Sequence, residues 1–111
     1  MIKVAIALLL ATTASVQVFA KETYLVSEQD CFGVALISKA AMMNRDQGVD
    51  LNSFIMKIKS PDRMNDVGYA AMYPTIEAAV KEAYRDPGTT TDLFSEQLRR
   101  CNKNIGNPPT Y

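Results

Sequence analysis

Two cysteines, no histidine and a scatter of carboxylates define the chemistry open to this 111-residue chain. Cys31 and Cys101 are the only thiols, so one intramolecular pairing exists. Oxidised, they close a loop of about 70 residues, worth roughly 4 kcal/mol on the chain-entropy argument, a large share of a small domain's stability. An intermolecular disulfide and two unpaired thiols are the other states open to them. With no histidine, two lone cysteines supply too few ligands for structural zinc, so neither a metal nor a cofactor is expected. The absence of Cys-x-x-Cys leaves thiol oxidoreduction without a motif.

Histidine is also the commonest acid-base catalyst, and its absence excludes the usual serine triad and histidine-bearing metal sites. Two carboxylate pairs remain, Asp62 with Asp66 and Glu77 with Glu82. Glycan cleavage would need such a pair across a cleft, with Glu77 or Glu82 as general acid. Asp62 and Asp66 border a loop, and Glu77 and Glu82 are five residues apart on a helix, so surface charge is the simpler reading of both. No Gly-rich phosphate loop is present. The chain reads as a non-enzyme.

The remaining candidates are side chains for contact. Tyr69 and Tyr73 lie one helical turn apart with Tyr84 three turns on, which makes an aromatic stripe for a partner or, more simply, a packed core edge. Met42, Met43, Met56, Met64 and Met72 add adaptable apolar surface, and Met56 and Met64 are the two whose positions suggest exposure. Tyr69, Tyr73, Met56 and Met64 are therefore the expected partner-binding residues. Asn44-Arg45-Asp46-Gln47-Gly48 is the most specific short run, and it reads as a helix C-terminus in which Arg45 complements the negative helix end and Gly48 makes the turn.

The elements that must hold these residues are helical. Ser27-Glu28-Gln29-Asp30 is an N-cap with an acid three residues later. Across residues 31–43 only Ser38 and Lys39 are strongly polar, so Cys31, Val34, Ala35, Ala41 and Met42 line one face and Phe32, Leu36, Ala40 and Met43 its neighbour. A helix apolar over most of its circumference belongs in the middle of a bundle. Asp50 caps a short second helix with Leu51, Phe54, Ile55 and Ile58 on one side, stopped by Ser60-Pro61, after which residues 61–65 form a loop or single turn. A third helix runs from Asp66 or Val67 to Arg85, and Pro74 must kink or split it. Asp86-Pro87-Gly88 is a stop, the threonines at 89–91 a capping region, and a fourth helix carries Phe94, Leu98, Cys101 and Ile105 along one stripe. The expected fold is all-α: a bundle of about four helices closed by Cys31–Cys101, spanning residues 21–105, with 106–111 a flexible tail.

Residues 1–20 decide where this domain works. Lys3 gives a positive start, residues 4–11 run apolar, and Val18-Phe19-Ala20 places short side chains where signal peptidase reads, so residues 1–20 read as a signal peptide cleaved after Ala20. A retained anchor is the competing reading, weakened by Thr12, Thr13, Ser15 and Gln17 within the stretch. Export would place the mature chain in the periplasm or outside the cell, where disulfides persist. Lys3 is the leader's only charge, so the 12 basic and 12 acidic residues become 11 against 12 and the mature net charge is −1. That balance argues against nucleic acid as a partner, and Lys57, Lys59 and Arg63, like Arg99, Arg100 and Lys103, read as solvated faces.

The order Cys31, apolar helix, Arg45-Asp46-x-Gly48, short second helix, tyrosine-bearing third helix and final Cys101 resembles a broad set of small secreted bacterial proteins. The resemblance covers most of the mature chain. It implies a helical, disulfide-closed periplasmic domain and carries over no catalytic residue. The expected function is a non-enzymatic periplasmic interaction or accessory protein, tied to an envelope assembly or a mobile genetic element (conjugation or phage), whose partner is an unidentified envelope protein. The alternative is an acid- or stress-activated periplasmic chaperone: protonating the carboxylates would leave 11 side-chain positive charges, and their repulsion would open a bundle still tied by its disulfide.

Overall fold

Ser27 starts the first helix in the way its sequence predicts. Its hydroxyl accepts from the Asp30 backbone N–H at 3.2 Å, and the Asp30 carboxylate accepts in return from the Ser27 N–H at 2.8 Å, a complete capping box. The helix that follows is α1, Glu28–Asp46. It ends in a Schellman turn, in which Gly48 N–H bonds to Arg45 O at 3.0 Å and Val49 N–H to Asn44 O at 2.9 Å. Gly48 takes φ of 88° there, a conformation that glycine adopts at no steric cost.

This computed structural model describes residues 24–85 and 92–109. The expected signal peptide, the stop and threonine run at 86–91 and the last two residues lie outside the described residues. Within them the chain is all-helical: after α1 come α2 (Leu51–Ile58), the single turn α3 (Pro61–Met64), α4 (Val67–Arg85) and α5 (Asp92–Asn102). Asp50 caps α2, its carboxylate accepting from the Ser53 N–H at 3.3 Å and hydroxyl at 2.6 Å. Asp66 does the same for α4 through the Tyr69 N–H at 2.8 Å.

Side-chain ties give the direction of each helix. Tyr24 stands against Gly68 at the start of α4, where an added Cβ would lie 2.8 Å from the tyrosine hydroxyl, while that hydroxyl donates to Asp30 in the first turn of α1 at 2.8 Å. At the far end Arg45 Nη1 donates to the Ala83 carbonyl in the last turn of α4 at 2.6 Å. Thus α1 and α4 run side by side in the same direction. The chain returns between them through α2 and α3, pinned by Tyr84 Oη to Val49 O at 2.8 Å and by Tyr69 Oη to Ile58 O at 2.5 Å. The last helix, α5, packs on α1, and Cys101 near its end bonds to Cys31 near the start of α1, with Cα atoms 5.3 Å apart.

The core lies where α1, α4 and α5 converge. Cys31, Val34, Ala35 and Ala41 meet Met72, Tyr73, Ile76, Ala79, Val80 and Ala83, with Leu93 and Cys101 from α5 and Phe54 and Ile58 from α2. One open alternative closes and two expectations change. Of the kink or split expected at Pro74, the split is absent, since α4 is one helix from Val67 to Arg85; the burial of Met72, Tyr73 and Ile76 around it outweighs a proline penalty of about 3 kcal/mol. The buried stripe of α5 is Leu93, Gln97 and Cys101, and not Phe94, Leu98 and Ile105, because the disulfide sets the rotation of the helix and leaves Phe94 and Leu98 half-buried beside that stripe. The second apolar face of α1 is not enclosed: α4 and α5 cover one side of the helix, and Phe32, Leu36 and Met43 stay exposed. Gly106 and Asn107, at the start of the expected tail, exchange backbone hydrogen bonds with Val26 at 2.8 and 2.9 Å.

Candidate functional site

The Cys31–Cys101 crosslink forms at one end of the core, with Cys31 fully enclosed and Cys101 at 9 % exposure. Beside it, where α4 and α5 diverge, a cleft of about 290 Å³ opens. Its floor is Val26, Val34, Met72, Ala79 and Cys101; its rim is Thr75, Glu82, Gln97, Arg100 and Asn104. Glu82 bridges the two helices at that rim, accepting from Gln97 Nε2 at 3.1 Å and Arg100 Nη1 at 2.9 Å, and Arg100 Nη2 reaches Glu96 at 2.5 Å. These two carboxylates raise the Arg100 pKa above its ordinary value. A buried glutamine on the inner stripe of α5 gives no sign in a hydropathy pattern, and the network was not legible from sequence for that reason.

Three of the four carboxylates considered for catalysis have partners outside their pair. Glu77 bonds Lys81 at 2.9 Å, one turn along α4, and that contact lowers its pKa. Glu82 is turned to α5, and Asp66 is spent on the N-terminus of α4. Among the described residues no cluster of histidine, cysteine or carboxylate side chains is arranged to hold a metal ion, and no helix is long and apolar enough to cross a membrane.

The four expected contact residues occupy different depths. Met56 projects from α2 at 76 % exposure. Met64 is half-buried against the core. Tyr69 is half-buried, its hydroxyl bonded to the Ile58 carbonyl, and burial pushes its pKa up. Tyr73 is 6 % exposed, its ring centroid 6.4 Å from that of Tyr69 and 5.8 Å from Lys59 Nζ. Burial first, and then the Glu77 charge, push the Tyr73 pKa up to about 12, although the hydroxyl has no hydrogen-bond partner of normal geometry. The two tyrosines are brought together, and both serve the packing of α2 and α3 on α4.

Larger apolar surface lies elsewhere. On the outer side of α1, Phe32, Leu36 and Met43 are 51 %, 45 % and 54 % exposed, and Phe32 meets Phe94 of α5 edge-on with centroids 5.9 Å apart. Their helical spacing was visible in the sequence, but which of the two apolar faces of α1 would be covered was not. No family profile, no curated protein and no solved structure matches the chain.

Proposed function

We propose that this chain is a non-enzymatic interaction protein of the bacterial periplasm, an accessory to an envelope assembly or to a mobile element, and that its surface binds another envelope protein. The observation that carries this reading is the exposure of large apolar side chains on a crosslinked scaffold, with Met56 and Val67 above 75 % exposed. The Cys31–Cys101 bond is compatible with an oxidising compartment, and the leader at residues 1–20 is the route to it. Met56 is flanked by Lys57 and, three residues on, Lys59, so the partner surface has an apolar centre and acidic edges. A photo-crosslinker placed at Met56 in intact cells tests this: one envelope protein captured at that position, and not at exposed Asp62, supports the reading. Capture of nothing removes it.

The chaperone reading is supported by the use of carboxylates at helix starts. Asp30, Asp50 and Asp66 each accept a backbone N–H at the beginning of a helix, and Glu82 and Glu96 clamp Arg100. Acid weakens such charge-assisted contacts while the disulfide remains. Dye binding by the purified protein near pH 2, with suppression of aggregation of acid-denatured clients, is the expected outcome on this reading; a protein that stays closed and inert at that pH excludes it.

A further inference from the structure

The outer face of α1 has the pattern of a helix-packing seam that none of the other described helices fills. Gln29, Phe32, Leu36, Lys39 and Met43 succeed one another along the helix at intervals of three, four, three and four. Single exposed apolar side chains are ordinary; a row along one face is a contact surface. The central part of this row is symmetric about residue 34, since residues 32 and 36, and 29 and 39, are equally spaced on either side of it. Such a face is complementary to itself when two copies meet antiparallel across a two-fold axis.

Charge selects the same arrangement. Glu28 and Lys39 are exposed, and neither has an ion-pair partner among the described residues. Eleven residues separate them, roughly 16 Å along the helix, too far for contact within one chain. In the antiparallel pair each Lys39 arrives beside Glu28 and Gln29 of the other copy, so both charges are matched on both sides of the axis. A parallel pair would set Lys39 against Lys39. The mature chain, with 11 basic and 12 acidic residues, has a net charge of −1, so little long-range repulsion opposes association.

The junction of α1 with α5 supplies a socket. A groove of about 680 Å³ lined by Glu28, Gln29, Phe32, Leu98 and Asn102 opens at the N-terminal end of the face. It lies where Leu36 and the methylene stem of Lys39 from a second copy would enter, with Glu28 placed to meet the ammonium group. We infer that the outer face of α1 is a homodimer interface, in which two copies pack antiparallel with Phe32 on Leu36 and Lys39 on Glu28.

The exported protein, purified with its disulfide intact, tests this by light-scattering mass and sedimentation equilibrium. The expected result is a dimer that Leu36→Glu converts to monomer, and that Lys39→Glu or Glu28→Lys alone weakens by about tenfold, since each change turns two attractive pairs repulsive. The double variant Glu28→Lys with Lys39→Glu restores association. All three positions are exposed, so circular dichroism of the variants should match the parent. A protein that stays at monomer mass at high micromolar concentration overturns the inference and leaves the face to a foreign protein or a lipid surface, whether or not Met56 captures a partner in cells. A dimer indifferent to Leu36→Glu, or one that the charge exchange does not rescue, overturns it equally.

Discussion

At the scale of single residues, two buried hydroxyls among the described residues are not satisfied by packing. Ser38 Oγ is fully enclosed in the middle of α1 and has no hydrogen-bond partner. An unpaired buried polar group costs about 1–3 kcal/mol, and alanine is the better helix former, so Ser38→Ala should stabilise the protein by about 1 kcal/mol, read as a higher urea midpoint with unchanged slope. Tyr73 is the second case, and its consequence depends on pH. Its pKa stands at about 12 in the folded chain against 10.0 ordinarily, so the folded state holds the phenolic proton more tightly. That contribution is complete below about pH 10 and is lost as pH rises through 12. Tyr73→Phe should therefore flatten the alkaline fall in stability and, at neutral pH, leave stability unchanged or higher. A marked neutral loss would mean that the hydroxyl reaches Glu77 in solution.

Between elements, what was readable in the sequence is what is decided within a few residues. Ser27 with Asp30, Asp50 with Ser53 and Gly48 act on neighbouring backbone, and each sits where local pattern places it. Arg45 shows the limit. Its sequence neighbours suggest that it serves the end of its own helix, yet its guanidinium donates to Ala83, 38 residues away, and joins the C-terminal ends of α1 and α4. The rotation of α5 was hidden for a related reason: Phe94 and Leu98 look more apolar than Gln97, but the crosslink at Cys101 turns Gln97 inward. Because Arg45 is largely covered, at 13 % side-chain exposure, and donates as a cation to a helix-terminal carbonyl, Arg45→Met should lower stability by about 2 kcal/mol in urea. Arg45→Lys, which keeps the charge without the fork, should recover only part of the loss.

For the whole molecule the disulfide and the carboxylates divide the work of holding a small core. Cys31–Cys101 spans 70 residues, so reduction, or the paired change Cys31→Ser with Cys101→Ser, should lower stability by about 4 kcal/mol at neutral pH. Acid acts on other contacts. The Ser53 hydroxyl and N–H hold the Asp50 carboxyl below its ordinary pKa of 3.8, and Lys81 holds Glu77 below 4.5. Both groups are bound more weakly by protons in the folded chain than in the unfolded one, so their contribution is present above about pH 4.5 and disappears as pH falls through their folded values. With the crosslink intact this loss loosens α2 and α4 while α1 and α5 remain tied. Without it the same loss falls on a chain already about 4 kcal/mol weaker. An acid titration followed by far-ultraviolet circular dichroism should therefore show the doubly substituted protein losing helix at a higher pH than the parent, in one cooperative step. Coincident midpoints would mean that the bond at Cys31 and Cys101 adds nothing once the carboxylate contacts are gone.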